Sequence, residues 1–312
     1  RRASDWFIHA GMLEESISHA FATDSYDLVI RLIENALSQI LEQGKFRQYL
    51  TWIDGIPGVY LQKKPRLEIV KIFMLHEMGQ IAVRDRQIAY VDDILPTLPE
   101  DIDTANQHLI INHGIFAAIK AIVYASGYLL VDESQVHSQL AARLLPEDYM
   151  HWRSLALGTG PFIQRITGNY QVAITGFQNG LEQVLTSNFT FQTFILYSVL
   201  TKSYLETGQL KRAHITCQKA LEMDADAEAN LPFAKLAYLL MGEIQYHSGK
   251  LDAAEELIEL GLEHIIGHGD VFSIIDGCSM LVRIQIAKGD SEQALTLIQE
   301  MKSIINGLEP SK

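Results

Sequence analysis

Cysteine, positive charge and long apolar runs are all scarce in this sequence. Only two of its 312 residues are cysteines, Cys217 and Cys278, which excludes a disulfide framework and suits a reducing compartment. Acidic residues outnumber basic ones by 38 to 25, and the net charge of −13 repels phosphate backbones. No apolar run reaches the roughly 18 residues of a membrane span, and the first residues lack the layout of a signal peptide. We therefore expect a soluble, cytoplasmic chain that contacts neither a membrane nor DNA directly.

Catalytic and nucleotide-binding motifs are also missing. The sequence contains no G-x-x-x-x-G-K-[ST], H-E-x-x-H, G-x-S-x-G or paired C-x-x-C. In "EHIIGHGD", His264, His268 and Asp270 resemble a metal-ligand set, but Gly267 and Gly269 favour the end of a helix and a loop. The stretch "EMDADAEANLP" is interpreted as an acidic loop between repeats, because it lacks the spacing of a calcium loop. The residues predict no enzyme activity, no metal and no cofactor in this segment.

A repeated glycine pattern organises the chain instead. Gly168, Gly208, Gly249 and Gly289 are 40, 41 and 40 residues apart, and each is followed five positions later by alanine. Glycine adopts the left-handed conformation that ends a helix, and the alanine lets the next helix pack closely. Apolar residues at helical spacing lie on both sides, as in "FILYSVLTKSYLET" and "LKRAHITCQKALEM", whereas strand-like alternation is scarce. Weaker copies occur at Gly11, Gly44, Gly79 and Gly127.

This pattern resembles the tetratricopeptide repeat. One repeat carries its small and large positions at Tyr238, Met241, Gly242, Leu251, Ala254 and Ile258, and the preceding one at Tyr197, Leu200, Tyr204, Leu210, Ala213, Cys217 and Ala220. The period of about 40 residues exceeds the usual 34 or so, which predicts longer helices or loops. We predict an all-α fold, a right-handed superhelix of about eight tetratricopeptide-like helix pairs (an α-solenoid). Such solenoids present concave binding surfaces.

The first sixty residues resemble one family more closely, the MalT-type ATP-dependent activators within the LuxR class of transcription regulators. The family pattern is matched by Arg1, Arg2, Ala3, Trp6, Phe7, Gly11, Ser16, Ile17, His19 and Ala20, and then by Gly44, Tyr49, Leu50, Trp52, Ile53, Ile56 and Pro57. Ser16, Tyr49 and Ile56 depart from the commonest family choices but remain compatible with packing. The remaining residues fit through the repeats.

The resemblance implies a domain order and a function. Residues 1–10 are expected to end a linker from an upstream winged-helix and ATPase module, with irregular helical repeats over 11–150 and regular repeats over 151–308. In this family the superhelix binds a small inducer, which promotes ATP-dependent self-association and transcription activation. ATP would therefore bind the upstream module, and the partners of this segment would be the inducer, its own ATPase module and further copies of the chain.

The binding residues are predicted from the turn glycines, because the first helix of each pair lines the concave side of a solenoid. The inward positions are Phe73, His76, Tyr124, Phe162, Arg165, Lys202, Glu243, Tyr246 and Arg283. The Gly-Pro step in "GTGPFIQR" is interpreted either as a packing kink or as a break that widens the groove. We predict that the inducer site uses Tyr124, Phe162, Arg165, Lys202, Glu243, Tyr246 and Arg283. The alternative is a protein–protein scaffold without a small ligand, whose groove holds a partner. A competing account of these side chains is that they pair with each other and line an empty, wet groove.

Overall fold

A computed structural model describes residues 12–102, 105–185, 190–226, 235–266 and 271–308 of the chain. Sixteen α-helices and no strand occur in these ranges. The first eight helices are α1 (Leu13–Ala22), α2 (Tyr26–Glu42), α3 (Phe46–Asp54), α4 (Gly58–Leu61), α5 (Pro65–Glu77), α6 (Ile81–Ile94), α7 (Gln107–Ile122) and α8 (Val131–Leu144). The other eight are α9 (Met150–Ile166), α10 (Tyr170–Leu185), α11 (Thr190–Glu206), α12 (Leu210–Asp226), α13 (Leu236–His247), α14 (Leu251–Ile266), α15 (Val271–Lys288) and α16 (Ser291–Leu308). The prediction of an all-α solenoid of helix pairs is confirmed.

The regular pairs join at glycines, as the repeat spacing predicts. Gly168, Gly208, Gly249 and Gly289 have φ of 86°, 70°, 75° and 84°, in the left-handed region that side chains disfavour. The residue after each glycine donates its backbone N–H to a carbonyl five positions earlier, as in the 2.8 Å bond from Gln209 to Tyr204. This hydrogen bond is typical of a glycine C-cap, so a glycine ends the first helix of each regular pair.

The predicted turn at Gly127 is wrong by two residues. Helix α7 continues into a π-helical turn, Val123–Gly127, and the left-handed residue is Leu129, with φ of 55°. The Leu130 N–H donates to the Tyr124 carbonyl, six positions earlier instead of five, at 2.8 Å. The π turn lengthens the helix, and the left-handed residue of the turn is therefore a leucine instead of a glycine.

Gly44 is the left-handed turn residue that the repeat pattern predicts, with φ of 63°, but it does not join the two helices of one pair. Helices α1 and α2 form the first pair, and their turn has Asp24 at φ of 50°. Gly44 lies between α2 and α3, at the junction of two pairs, because α3 packs chiefly on α5. Residues 1–10 and Gly11 lie outside the described residues.

The first helices of the pairs form the inner layer of the solenoid. Helices α9, α11, α13 and α15 each contact their own second helix, and α9, α11 and α13 also contact the next first helix. Substantial contact between consecutive second helices does not occur in the described ranges. A stack whose first helices are closer together than its second helices is concave on the side of the first helices.

An aromatic cluster fills this concave side in the N-terminal half. It consists of Phe46, Phe73, His151, Trp152 and Phe191, whose neighbouring rings lie with centroids 4.9–6.4 Å apart. The Phe46–Phe191 contact joins the start of α3 to the start of α11, far apart in sequence. The first helices of this half therefore enclose a core and leave no open groove at Phe73 or His76, both of which are buried.

A hydrogen bond from α11 to the Glu42 carboxylate also joins the N-terminal helices to α11. Glu42, at the end of α2, accepts the backbone N–H of Phe191 at 2.8 Å, in the first turn of α11. The first-turn N–H groups of a helix lack intrahelical acceptors, and the helix dipole favours negative charge there. The apolar core that begins at Ile17 also includes Trp152 and Ala156, so it extends across the predicted division at residue 150. That division stays a prediction.

Eight of the residues that carry the family resemblance are buried in this half. Ser16, Ile17, Ala20, Tyr49, Leu50, Trp52, Ile53 and Ile56 are all buried. The Tyr49 hydroxyl donates to the Leu67 carbonyl at 2.8 Å, which satisfies the polar group that this departure from the family pattern introduces.

The C-terminal half packs by close contact between small residues. Gly242 lies so near Ala254 and Ile258 that a β-carbon at this position would be 2.7 Å from the Ile258 side chain. Ala213, Cys217 and Ala254 are fully buried. These positions confirm the small-and-large pattern that the sequence predicts for a tetratricopeptide-like pair.

The proline in α9 is accommodated by packing. The helix continues through Pro161, and Gly176 of α10 faces the proline ring, where a β-carbon would lie 2.5 Å from Pro161 Cγ. The absent side chain at Gly176 makes room for the ring, so these contacts favour the packing role over a break that widens the groove.

One helical segment, Gln107–Gly127, is long and apolar enough to span a bilayer by composition, contrary to the expectation of no such run. Its most apolar window is 67% buried inside the fold. The helix contacts α5, α8 and α9, and its apolar character is that of a central core helix.

Candidate functional site

Charged side chains of opposite sign pair along the inner face of the C-terminal half. Arg165 of α9 contacts Glu206 of α11 at 2.6 Å, and Lys202 of α11 contacts Glu243 of α13 at 2.8 Å. Asp276 of α15 lies 3.6 Å from the Lys202 ammonium. These five residues, called here the charge network, connect four consecutive first helices.

Partial burial and neighbouring charges shift the pKa values of two residues in the charge network. Burial by itself lowers the pKa of Lys202, but the charge and hydrogen bond of Glu243, with Asp276 and Glu206, raise it above its usual value. Burial raises the pKa of Glu206, although Arg165 and Lys202 act in the opposite direction. The network therefore holds charges that are incompletely solvated, and each depends on its neighbours.

Aromatic and thioether groups flank the charge network. The Arg283 guanidinium lies over the Tyr246 ring at 4.9 Å, and its Nη1 donates to Met280 Sδ at 3.3 Å. Arg165 is similarly placed over the Phe162 ring at 5.3 Å. Cations over aromatic faces with charged pairs between them form a surface suited to a polar ligand that has an apolar part.

Six of the seven predicted site residues lie on this inner face: Phe162, Arg165, Lys202, Glu243, Tyr246 and Arg283. Tyr124 lies elsewhere. Its ring contacts Tyr128 and His137 at 5.8 and 5.2 Å, because the π turn places it against α8. The prediction that Tyr124 lies with the other six residues is therefore wrong.

The sequence reasoning did not find Glu206, Asp276, His247 and Met280. A signal for the first was present, since Arg165 and Glu206 are 41 residues apart and so are Lys202 and Glu243. Residues one repeat apart on first helices are neighbours, so opposite charges at the repeat spacing predict ion pairs across the inner face. His247 lies on the turn that follows Glu243, with Nε2 3.9 Å from its carboxylate.

A separate cleft lies in the N-terminal half between α6, α7 and α8. It has a volume of about 120 Å³ and is lined by Asp92, Leu95, His113, Phe116, Ala117, Lys120, His137 and Leu140. The Lys120 ammonium contacts both Asp92 oxygens at 2.7 and 2.9 Å and lies 4.2 Å from the Phe116 ring centroid. Burial lowers the pKa of His137, and the charge of Lys120 adds to this effect.

A buried polar network supports the irregular turn beside this cleft. Arg84 has no exposed surface, and its Nη1 donates to His76 Nδ1 at 3.0 Å. Because Nδ1 accepts, His76 Nε2 carries the proton and donates to Ser126 Oγ at 2.9 Å. Burial, with the charge of Arg84, lowers the pKa of His76 to about 4. These bonds hold Ser126 in the π turn, and we interpret them as structural.

The predicted loop at "EHIIGHGD" lies mostly outside the described residues. Helix α14 ends at Ile266, and the structure describes neither Gly267–Asp270 nor the side chain of His264. Helix α12 extends to Asp226, so the first part of the stretch predicted as an acidic loop is helical, contrary to that prediction. No group of three metal-binding side chains occurs within the ranges that the structure covers.

The chain was compared with known structures and protein families. The chain is similar in structure to BtubC (BKLC) from P. vanneervenii, with 14% identity, a TM-score of 0.45, and coverage of 80% of this chain and 95% of the other. No curated protein matches the sequence. Residues 114–307 match the family described as the MalT-like TPR region. Because this match covers more than half of the chain and includes all the helices of the charge network, the protein belongs to the family of MalT-like TPR regions.

Proposed function

We propose that this protein is the sensor region of an ATP-dependent transcription activator of the LuxR class, and that a small-molecule inducer binds against the charge network. The observation that carries the proposal is the run of partly buried charges across four first helices, flanked by Tyr246 and Phe162. Side chains that only stabilise a solenoid are mostly apolar at such positions, whereas a polar ligand site needs a few oriented charges.

The arrangement also suggests how binding would act on the rest of an activator. Each helix pair contacts mainly its neighbours, so the curvature of the solenoid is the sum of small rotations between pairs. A ligand that contacts α11, α13 and α15 together favours one curvature, and the equilibrium shifts by its difference in affinity between curvatures. An ATPase module joined to the solenoid would respond to that change and self-associate.

This function assigns binding, and no catalysis, to the segment. ATP would bind outside it, in the module that the family resemblance implies. With a net charge of −13 the chain repels nucleic acid, so DNA contact would be made by another part of the activator. Activators of this kind act in the cytoplasm, which is the location we propose.

A thermal-shift screen of small molecules against the 312-residue chain tests the proposal. We expect a ligand that raises the melting temperature of the natural chain and loses this effect when Tyr246 is replaced by alanine. Tyr90→Ala, at an exposed tyrosine of α6, is the matched control and should leave the response unchanged. Tyr246 is half-buried, so both variants should keep their helical content by circular dichroism.

A protein partner in the groove is the alternative. It is favoured if no small molecule shifts the melting temperature while a purified ATPase module of the same regulator binds and Tyr246→Ala weakens that binding. A ligand whose effect survives Tyr246→Ala but is lost in Lys120→Met would place the site in the cleft beside α7 and contradict the proposed groove.

A further inference from the structure

We propose that the ligand of the inner face carries a carboxylate, which Arg283 binds while Tyr246 contacts the apolar part of the ligand. The inference rests on the proposed function, because it names the chemical class of the ligand at the same surface. It follows from a difference between Arg283 and the other cations of the inner face.

The other two cations are already neutralised. Arg165 has Glu206 at 2.6 Å, and Lys202 has Glu243 at 2.8 Å with Asp276 at 3.6 Å. A new anion at either cation would have to displace a carboxylate held at short distance. Neither is therefore the first contact for an acidic ligand.

Arg283 differs from both. It is exposed, and within the described residues it has no carboxylate at ion-pair distance. One of its donors is used on Met280 Sδ, a weak acceptor, and the guanidinium is held over the Tyr246 ring. Guanidinium has five N–H donors in a planar fork, so most of its donor capacity remains for a ligand.

The surroundings favour a carboxylate over a phosphate. Both match the planar fork of arginine. Glu243 is one helical turn from Tyr246, and Asp276 lies two turns from Arg283 on the same stripe of α15, so the local field is acidic. A phosphate near neutral pH carries more negative charge than a carboxylate and is repelled more strongly.

The Tyr246 ring contributes in two ways. Stacking fixes the orientation of the guanidinium before binding, which lowers the entropy that the arginine side chain loses in the complex. The half-buried ring also offers apolar surface to the carbon skeleton of the acid. A small organic acid with an apolar body is thus recognised at both of its ends.

The test is a titration of the 312-residue chain with benzoate, succinate and citrate at constant ionic strength. The signal is the Nε–Hε resonance of Arg283 in nitrogen–proton NMR spectra, assigned by its loss in Arg283→Lys. At least one acid should shift this resonance with a Kd below about 1 mM. Inorganic phosphate and the amides benzamide and succinamide should bind at least about tenfold more weakly.

Two variants separate the role of the fork from that of charge. Binding to these variants is measured by isothermal titration calorimetry, because both lack the Arg283 resonance. Arg283→Gln should weaken binding of the acid by about tenfold or more, and Arg283→Lys should recover only part of the loss because the fork and the stacking are absent. Arg47→Gln, at an exposed arginine of α3, should have no effect. Circular dichroism should show unchanged helical content, since Arg283 is exposed.

The outcomes distinguish this inference from the proposed function. If a neutral ligand binds, needs Tyr246 and is indifferent to Arg283→Gln, the groove function stands and the carboxylate class is wrong. If phosphate binds more tightly than every acid, or if none of the three acids shifts the Arg283 resonance, the carboxylate class is also wrong. If an acid binds equally well to Arg283→Gln and Tyr246→Ala, both proposals are wrong.

Discussion

The two halves of this solenoid use their inner faces differently. In the N-terminal half the first helices close around an aromatic cluster, and the start of α3 touches the start of α11. In the C-terminal half the same layer carries paired charges and half-buried aromatic rings. One repeat architecture thus yields a closed core where the inward residues are large and apolar, and a polar surface where they are charged. Phe73 and Lys202 occupy comparable first-helix positions and illustrate the contrast.

Acid should destabilise the N-terminal half most strongly, and this is the largest difference that we expect. Burial lowers the pKa of His151 to about 4, and burial with the charge of Arg84 does the same for His76. The unfolded chain takes up protons near pH 6.5 while the folded chain does so only near pH 4. Stability is therefore complete above pH 6.5 and falls as the pH drops toward 4, by about 3 kcal/mol for each histidine.

Tryptophan fluorescence measures this effect selectively, because the three tryptophans, Trp6, Trp52 and Trp152, all lie in the first half of the chain. Urea unfolding at pH 7.0, 5.5 and 4.5 should show a falling midpoint for the fluorescence transition. The variants His76→Gln and His151→Gln should each reduce this pH dependence. An unchanged dependence in both variants would mean that other groups control acid unfolding.

The second largest difference that we expect between the two halves is the loss of stability when an inward aromatic ring is removed. Phe73 is 1% exposed and contacts Phe46 and Trp152, so Phe73→Ala should lower the free energy of unfolding by about 4 kcal/mol. Phe162 is half-buried on the inner face, and Phe162→Ala should cost only about 1 kcal/mol. Urea unfolding followed by circular dichroism measures both. Equal losses would show that the two inner faces are packed alike.

The charge network should respond to single substitutions more than to a paired one. Lys202→Met leaves Glu243, whose side chain is 11% exposed, without its closest cation, and should cost about 2 kcal/mol. The double variant Lys202→Met with Glu243→Met removes both charges and should recover most of that loss. Thermal unfolding of the four chains of this cycle gives the interaction energy. A double variant that is less stable than either single one would contradict the pairing.

Substitutions at two turns are expected to have opposite effects on the stability of the chain. Leu129 is 64% exposed at φ of 55°, so Leu129→Gly should relieve strain and stabilise the chain by up to about 1 kcal/mol. Gly208 has φ of 70°, and Gly208→Ala should destabilise the chain by about 1 kcal/mol. Melting temperatures measure whether each variant is more or less stable than the natural chain. A destabilised Leu129→Gly would show that the leucine side chain contributes more by contact than its conformation costs.

Local signals account for the parts of the fold that the sequence predicted correctly. Gly168, Gly208, Gly249 and Gly289 mark turns because the left-handed backbone of a helix end excludes most side chains, which is a property of the residue itself. The π turn left no comparable signal. Gly127 looked like the turn glycine, but the π turn places the left-handed residue two positions later, at Leu129, and the hydrogen bond between His76 and Ser126 supports this turn.

The sequence predicted the direction of these side chains but not their environment. Counting back from the turn glycines placed six of the seven predicted residues on the inner layer, because helical periodicity fixes the direction of a side chain. The same counting placed Phe73 and His76 inward, where closure of the N-terminal half buries them. Whether an inward residue meets solvent depends on contacts such as Phe46–Phe191, between residues far apart in sequence.

By itself, the sequence determined the helix pairs, their turns and the alternation of small and large residues that lets Gly242 pack against Ala254 and Ile258. These features depend on neighbours within one repeat, where backbone conformation and helical period act directly. Only the tertiary structure decided which inward residues are enclosed in a core and which stay on a partly exposed, charged surface. That outcome depends on superhelical curvature, which sums small rotations over many pairs, and on ion pairs that form only when residues one repeat apart are brought together.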